Sequence, residues 1–330
     1  MKVCIYLELE RWLKHSGMGS AVGNHRRALD MNYVDYTHNP KEDFDLLHVY
    51  MVGPMSLLAI RKARKMGKKV ITHAHLTADD FKDSFCFSNE IAPFLQRYLA
   101  YFHNQADLVL CPSEYTKSVL KSYGVKKEIK VVSNGIDIKK FKLSAEKRKR
   151  FRKEYGLDGI TVFNISHLFM KKGITTFVNV ARKFQNKFVW IGKRYRGIED
   201  FRISKVLKSA PKNVIFTGYI NDITAGYSGC DIFFFPSFCE NQGIVILEAS
   251  TCKRPILVRD IPVYDGWLKN EVHCLKARTD EEFELRLKRL LEDEQLRRRL
   301  TENAYKLAEE HSLEKVGGKL KEVYEYLVRK

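Results

Sequence analysis

The 330-residue sequence predicts an α/β protein in which helices pack on parallel sheets. Short, uniformly apolar segments alternate with longer helical patterns along the chain, which is typical of strands buried on both faces of a parallel sheet. With 45% apolar and 30% charged residues, the composition is that of a globular protein, and the length is sufficient for two domains with separate cores.

Several segments have the apolar, β-branched or aromatic composition of buried strands. In chain order they are residues 3–7, 45–50, 69–73, 108–111, 129–132, 160–165, 188–192, 214–217, 232–235 and 255–258. A Gly-rich loop containing Gly17 and Gly19 follows the first of them. Such a loop lets backbone N–H groups approach a phosphate, although a lone G-x-G is also common in ordinary turns.

Helical patterns lie between these strands and fill the end of the chain. They cover residues 55–66, 84–104, 144–155 and 242–252, much of 280–310, and 313–328. Gly67 and Gly156 are placed to end two of these helices, and Ser113 is placed to cap the start of the helix after the strand at 108–111.

Residues 229–255 combine a buried strand with the start of a helix, and they predict a ligand site. The helix N-terminus points at the strand end, and its N–H groups and about half a positive charge suit a diphosphate. Gly243 has no side chain to hold the ligand away. Glu240 and Glu248 supply carboxylates that accept hydrogen bonds from sugar hydroxyls. Two glutamates at this spacing often occur by chance, but the whole sequence of strand, Pro-Ser, Glu, Gly and helix favours a nucleotide-sugar site.

This stretch resembles the E-x7-E signature of the retaining glycosyltransferases of family 4. The resemblance continues through DLVLCPS at 107–113, SNGID at 133–137, the Lys172-Gly173 pair, FTGY at 216–219 and the last helix. It implies the GT-B fold, which has two Rossmann-like α/β/α domains facing across a cleft. Residues 1–140 would form the acceptor-binding domain and 141–312 the nucleotide-sugar-binding domain, with the C-terminal helix 313–330 crossing back to the first.

The same resemblance assigns site residues. It implies catalytic roles for His75, Glu240 and Lys172, with Glu248 on the ribose. The implied donor-binding residues are Gly17, Gly19, Lys171, Lys172, Tyr219, Asn241, Gln242, Gly243, Ile244 and Glu248. His167 occupies the position of the usual phosphate-binding Arg, and Lys171 is the candidate to replace that charge. No metal and no cofactor are expected, and UDP-hexose is the favoured donor substrate.

Two further groups of residues are candidates in the first half of the chain. His73 and His75 could be metal ligands or core histidines, yet no third ligand is suggested nearby; the resemblance places one histidine under the transferred sugar, with His75 the first choice. The aromatic residues of 84–104 are typical of helix packing. Similar glycolipid-making enzymes nevertheless have an apolar acceptor face here, which makes Phe85 and Phe87 acceptor candidates, together with His73.

The net charge of +18 is compatible with nucleic acid, an anionic membrane surface or anionic substrates. No nucleic-acid-binding motif accompanies the basic clusters at 61–69, 147–153 and 193–196, so we expect a membrane surface and no nucleic acid. The stretches SGMGSAVGNHRRAL, VITHAHLTADDFKDSFCFSNEIAP and RDIPVYDGWL resemble bacterial diglycosyl-diacylglycerol synthases. They imply hexose transfer to a membrane glycolipid such as a monoglycosyl-diacylglycerol. A soluble sugar or glycan acceptor, a nucleotide-sugar epimerase and a nucleic-acid binder are the alternatives.

The cysteines and the apolar runs indicate where the protein works. The 7 cysteines are scattered and contain no C-x-x-C pair, which favours a reducing compartment over a disulfide framework or a zinc site. The apolar runs fall well short of the roughly 20 residues needed to span a bilayer. The chain opens on a strand pattern and not on a signal peptide. We therefore expect a cytoplasmic protein that associates peripherally with the inner face of the membrane.

Overall fold

The computed structural model describes residues 1–13 and 16–330, which form two compact units. The first unit contains Met1–Phe81, Glu90–Asp137 and Glu310–Lys330, and the second contains Lys82–Asn89 and Ile138–Glu309. Each unit has one parallel six-stranded sheet with helices packed on it, which confirms the predicted fold class.

The strands and helices alternate along much of the chain. The strands are β1 (Lys2–Tyr6), β2 (Asp35–Thr37), β3 (Leu46–Val49), β4 (Lys69–His73), β5 (Leu108–Cys111), β6 (Glu128–Val131), β7 (Val162–Ile165), β8 (Phe188–Ile191), β9 (Val214–Gly218), β10 (Ile232–Phe235), β11 (Ile256–Arg259) and β12 (Leu275–Ala277). The helices are α1 (Glu10–Leu13), α2 (Gly17–Met31), α3 (Pro54–Lys65), α4 (Ala78–Phe81), α5 (Ser88–His103), α6 (Glu114–Ser122), α7 (Ala145–Tyr155), α8 (Ile174–Ala181), α9 (Phe201–Ser209), α10 (Ile223–Gly229), α11 (Ile244–Thr251), α12 (Asp280–Glu292), α13 (Glu294–Glu310) and α14 (Leu313–Arg329).

The first sheet has the strand order β2-β1-β3-β4-β5-β6, and its neighbouring strands are all parallel. Its strands are buried on both faces because successive side chains point to opposite helix layers. In β1, Val3 and Ile5 join one apolar cluster and Cys4 joins the other. The burial explains why these strands read as continuous apolar runs.

The C-terminal helix α14 belongs to the first unit. Its Leu320 and Tyr324 are fully buried in the same apolar cluster as Val22 and Leu29 of α2. The two helices approach closely at Gly317, where a Cβ atom would run into the Ala28 carbonyl and the Asn32 side chain. A glycine is therefore required at this crossing.

The second sheet has the order β12-β11-β10-β7-β8-β9, and its neighbours are again parallel. Its core contains Phe177, Trp190 and Phe234 packed against the amphipathic helix α12. The short segment Lys82–Asn89 also packs in this unit, where Phe85 forms an isolated antiparallel bridge with Glu199.

The structure corrects two sequence-based expectations. Gly17 and Gly19 lie in the first turn of α2 and not in a loop, because Ser16 caps the helix by accepting a hydrogen bond from the Gly19 N–H at 3.1 Å. The helix predicted from residue 84 begins at Ser88, because the preceding Phe87 has a positive φ of 62°. The expected caps are confirmed: Ser113 accepts from the Thr116 N–H, and Gly67 and Gly156 have positive φ after α3 and α7.

Within residues 1–13 and 16–330, no helix has the length and apolar character needed to cross a bilayer.

The crossing of α2 and α14 yields a matched pair of stability variants. Gly317→Ala inserts a methyl group against backbone, and we expect it to lower the free energy of unfolding by about 1–3 kcal/mol. Gly318→Ala, one residue further along α14, has Asn32 Oδ1 as its nearest neighbour at 3.7 Å. It should be neutral or stabilising by up to about 1 kcal/mol, because alanine favours helix over glycine. Urea unfolding of both variants, followed by circular dichroism, measures the difference; equal effects would contradict the proposed close approach.

Candidate active site

The candidate site of the second unit lies where the strand order reverses. Successive strands run outward from β7 through β8 to β9 in one direction, and from β10 through β11 to β12 in the other. The helices that follow β7 and β10 therefore pack on opposite faces of the sheet and leave a crevice at its carboxyl edge, which is where ligands bind in such folds. The loops that leave these two strands contain residues 166–173 and 236–243.

The two loops are held against each other by backbone contacts. Gly173 has a positive φ of 75°, and a Cβ atom there would run into the Pro236 carbonyl. The Phe238 N–H donates to the Lys171 carbonyl at 2.8 Å. Because the 170–173 turn rests directly on the end of β10, the side chain of Lys172 lies beside Glu240.

Lys172 and Glu240 form an ion pair at the bottom of this crevice. The distance from Lys172 Nζ to Glu240 Oε1 is 2.5 Å, and the side chains are only 16% and 9% exposed. Charge-assisted hydrogen bonds of this length are strong in a partly desolvated place. The structure thus brings together the predicted phosphate-binding cation and the predicted sugar-binding carboxylate.

Helix α11 starts beside this pair. Gly243 caps it with a positive φ of 80°, a conformation that favours glycine, and Ile244 is its first residue. The preceding Asn241 is partly exposed and Gln242 is buried. The first turn of α11 directs backbone N–H groups toward the crevice, so an anion bound there is stabilised by the helix dipole.

Glu248 lies one turn further into α11 and is buried. Its Oε2 accepts a hydrogen bond from the Tyr227 hydroxyl at 2.8 Å. Burial raises the pKa of Glu248 to about 7, while the Tyr227 hydrogen bond and the positive charge of Lys140 act in the opposite direction. A carboxylate with this arrangement can accept hydrogen bonds from a ligand hydroxyl and titrates near neutral pH.

An aromatic cluster lines the other side of the 167–173 loop. The rings of Phe169 and Tyr195 stack with centroids 5.5 Å apart, and Phe85 meets Phe169 edge to face at 5.0 Å. The rings of His167 and Tyr195 meet edge to face with centroids 5.3 Å apart. Phe85 therefore lies against the 167–173 loop, and His167 lies in an aromatic environment.

Phe87, the other aromatic acceptor candidate, and Tyr219, the base-binding candidate, are both exposed to solvent. Phe87 directly precedes α5, and Tyr219 follows β9 at the carboxyl edge of the second sheet.

In the first unit, His73 and His75 belong to a buried array of rings at the end of β4. Their rings stack with centroids 4.2 Å apart and an interplanar angle of 7°. His73 shares a hydrogen bond with His48, and His25 shares one with the Tyr50 hydroxyl at 2.9 Å. Burial lowers the pKa of His75 to about 3, so its imidazole is neutral at physiological pH.

His75 is the better placed of the two histidines to touch a ligand. His73 is only 1% exposed, whereas His75 is partly exposed at the rim of the array. A neutral imidazole can donate or accept a hydrogen bond but is not a general acid at neutral pH. Its role beneath a transferred sugar stays a prediction.

Three supporting residues were not identified from the sequence. Asn164 of β7 donates to the Phe234 carbonyl at 2.8 Å and ties together the two strands at the switch point. Arg259 donates to the Pro236 carbonyl at 3.0 Å and stacks on Phe238. Tyr227 holds Glu248. Arg259 is the first residue of the RDIPVYDGWL stretch, and the resemblance of that stretch is the sequence feature that could have identified it.

The part of the chain that the structure describes contains no group of three or more His, Cys, Asp or Glu side chains arranged to hold a metal ion.

Comparison with known proteins places this geometry in a family. The protein-family model described as glycosyl transferases group 1 matches residues 146–307. The family model for glycosyltransferase family 4 matches residues 25–140. A processive diacylglycerol alpha-glucosyltransferase of Acholeplasma laidlawii is 37% identical over 337 aligned residues, covering 100% of this chain and 99% of the relative. An alpha-galactosylglucosyldiacylglycerol synthase of Streptococcus pneumoniae is 25% identical over 78% of this chain and 70% of the relative.

Solved structures share the same architecture. HepE of Anabaena in complex with UDP-glucose has a TM-score of 0.80 at 17% identity, covering 99% of this chain and 100% of that chain. Sucrose-phosphate synthase of Thermosynechococcus elongatus has a TM-score of 0.80 at 15% identity, covering 99% of each chain. Two Rossmann-like units with these neighbours define a protein of the GT-B fold. The chain belongs to glycosyltransferase family 4, and it is a glycosyltransferase.

Proposed function

We propose that this enzyme transfers a hexose, with retention of configuration, from a UDP-sugar to a glycolipid acceptor such as a monoglycosyl-diacylglycerol at an anionic membrane surface. The observation that carries the donor part is the Lys172–Glu240 ion pair at the switch-point crevice. The glycolipid acceptor is supported by the full-length similarity to the Acholeplasma diacylglycerol glucosyltransferase.

The donor would be held mainly by the second unit. Its diphosphate would lie on the first turn of α11, against Gly243, with Lys171 and Lys172 supplying positive charge. Glu248 would accept hydrogen bonds from the ribose, and Tyr219 would lie near the base. The nucleotide leaves as an anion, so positive charge fixed at the departing phosphate lowers the barrier to transfer. The proposal requires no metal and no cofactor.

Donor binding would replace the Lys172–Glu240 ion pair by two new contacts. Lys172 would bind a phosphate oxygen, and Glu240 would accept from hydroxyl groups of the hexose. Each charge then keeps a partner. An unpaired charge in this partly buried place would be unfavourable. We propose same-face attack by the acceptor hydroxyl, with the leaving phosphate receiving its proton.

The first unit presents a surface suited to a membrane. Helices α3 and α5 lie side by side, since Arg61 donates to the Tyr101 hydroxyl at 3.3 Å and Arg64 to the Gln105 carbonyl at 3.2 Å. We call their outer surface the α3–α5 face. Its exposed apolar residues are Met55, Leu58, Ile91, Phe94 and Tyr101, and its exposed basic residues are Arg61, Lys62, Arg64, Lys65 and Arg97.

Apolar side chains surrounded by lysine and arginine match the boundary between headgroups and acyl chains of an anionic bilayer. A groove of about 610 Å³ beside α3 is lined by the stems of Lys62 and Lys65 together with Met55 and Phe44. Trp12 is 86% exposed, and a large exposed indole ring is suited to the membrane interface.

Activity is tested by transfer from labelled UDP-glucose, UDP-galactose and GDP-mannose to liposomes that contain a monoglycosyl-diacylglycerol. We expect a diglycosyl lipid from a UDP-hexose, with the anomeric configuration of the donor retained. Lys172→Ala and Glu240→Ala should each lower kcat/KM by at least about 100-fold, because they remove charge from the reacting centre.

The matched control for these variants is Lys205→Ala, which removes an exposed lysine from α9. It should transfer hexose at the rate of the unmodified enzyme. A Lys172→Ala enzyme as active as this control would contradict the donor site. Equal transfer to free sugars in the absence of lipid would favour the soluble-acceptor alternative.

Membrane docking is tested by tryptophan fluorescence with vesicles of phosphatidylglycerol and phosphatidylcholine. Of the three tryptophans, Trp190 is fully buried and Trp267 is bonded to the Val263 carbonyl, so Trp12 is the expected reporter. We expect a blue shift on vesicle addition that is absent in Trp12→Phe.

Charge reversal on the α3–α5 face locates the docking surface. Lys62→Glu with Lys65→Glu should weaken vesicle binding by about tenfold or more, because each basic residue near an anionic surface contributes roughly 1 kcal/mol. Lys288→Glu with Lys306→Glu, on α12 and α13, changes the net charge equally and serves as the control. Equal loss in both double variants would exclude a local docking face.

A further inference from the structure

The Tyr227 hydroxyl lies inside the second unit and is bonded to Glu248. Tyr227 is completely buried in α10, and its ring packs edge to face on Phe141 and Phe163. Its hydroxyl is 2.8 Å from Glu248 Oε2 and 3.3 Å from the Val245 carbonyl oxygen. A phenylalanine at this position could make the same ring contacts, so these contacts do not explain why the residue has a hydroxyl group.

A tyrosine hydroxyl has one proton to donate, and here it has two acceptors. When Glu248 is ionised, the proton goes to the nearer acceptor, Oε2, in a charge-assisted hydrogen bond that is about twice as strong as a neutral one. When Glu248 is protonated, the Tyr227 hydroxyl can donate its proton to the Val245 carbonyl and accept a hydrogen bond from the Glu248 carboxylic acid. The arrangement accommodates both states and stabilises the ionised one more.

Other charged and titratable groups lie near the Tyr227–Glu248 pair. Lys140 supplies positive charge from the segment after β6 and favours ionised Glu248. Cys252, which directly follows α11, is a neutral thiol because burial raises its pKa to about 12. Arg254 donates to the Tyr227 carbonyl at 2.8 Å and so fixes the backbone of α10. Tyr227 is thus the hydrogen-bonding partner that favours the charged form of Glu248 from a neighbouring element.

We propose that Tyr227 is a positioning residue that holds Glu248 in its ionised, donor-binding form, so that donor affinity near neutral pH depends on the Tyr227 hydroxyl. The inference rests on the proposed function, in which Glu248 accepts hydrogen bonds from the donor ribose. An ionised carboxylate is the stronger acceptor for those hydroxyls. Loss of the Tyr227 hydroxyl raises the pKa of Glu248 further, and donor binding is then lost as the pH falls toward neutrality.

The test is the donor KM between about pH 6 and pH 9 for the unmodified enzyme, Tyr227→Phe, Glu248→Gln and the double variant. In Tyr227→Phe the midpoint of the plot of donor KM against pH should move up by about one pH unit. A hydrogen bond to a charged group typically stabilises the charged form by roughly the free energy of such a shift. The donor KM should then be about fivefold higher near pH 7 and should approach the unmodified value at the alkaline end. At saturating donor, kcat should change by less than about twofold. Glu248→Gln should remove the inflection, and adding Tyr227→Phe to it should change nothing further.

Two results would overturn the inference. One is a Tyr227→Phe profile that coincides with that of the unmodified enzyme. The other is an equal increase in KM at every pH that persists in the Glu248→Gln background, which is the signature of a packing role alone. If Glu248→Gln itself leaves the donor KM unchanged, the ribose assignment in the proposed function fails, and the two failures are thereby distinguished.

A measurement on the unmodified enzyme removes any dependence on the folding of the variants. In protein labelled with ¹³C at Glu carboxyl and Tyr ring carbons, the Glu248 and Tyr227 resonances should titrate together with one midpoint. A Glu248 titration that leaves the Tyr227 resonance unmoved would contradict the proposed hydrogen bond.

Discussion

The ion pair between Lys172 and Glu240 is the interaction on which the rest of the proposed donor site depends. Two opposite charges are withdrawn from water at the end of the second sheet, and each satisfies the other in the protein without ligand. Removing one partner of such a pair leaves an uncompensated charge, which typically costs several kcal/mol. A nucleotide-sugar is a ligand that offers both replacements at once, phosphate oxygens for the lysine and hydroxyl groups for the carboxylate. In the proposed function, the pair would therefore favour ligands with both features.

The surrounding residues hold the two loops at the separation that this pair requires. Gly173 allows the 170–173 turn to rest on Pro236, and Arg259 donates to the Pro236 carbonyl at 3.0 Å. On the other side of the turn, the Lys171 N–H donates to the Asp83 carbonyl at 3.3 Å. These contacts involve backbone groups, so they fix the positions of the loops whatever their side chains do. A site held in this way is organised before the donor arrives, which reduces the entropy lost on binding.

The sequence predicts the parts of this site that have a local signature. An apolar run followed by Pro, Glu, Gly and a helical pattern is sufficient to place Glu240, Gly243 and Glu248 around a strand end, and the Lys172-Gly173 pair follows from resemblance. The supporting residues have no such signature. Tyr227 is 21 positions from Glu248, and Arg259 is 23 positions from Pro236. Their contacts arise because β10 and β11 are neighbours in the sheet and because α10 and α11 pack together.

The same distinction explains the errors in the fold. The strands β2 and β12 were missed because each has three residues at a sheet edge, too few to show a period. Gly17 and Gly19 were assigned to a loop on composition, although the Ser16 cap allows the helix to begin there.

The central claim, that a nucleotide diphosphate takes Lys172 from Glu240, is tested most directly by calorimetric titration of UDP into the unmodified enzyme and Glu240→Gln. UDP has phosphates for Lys172 but no hexose for Glu240, so it must break the ion pair without replacing the carboxylate's partner. The account predicts that Glu240→Gln, which removes this competition, binds UDP more tightly than the unmodified enzyme while losing hexose transfer. Equal or weaker binding of UDP to Glu240→Gln would contradict it.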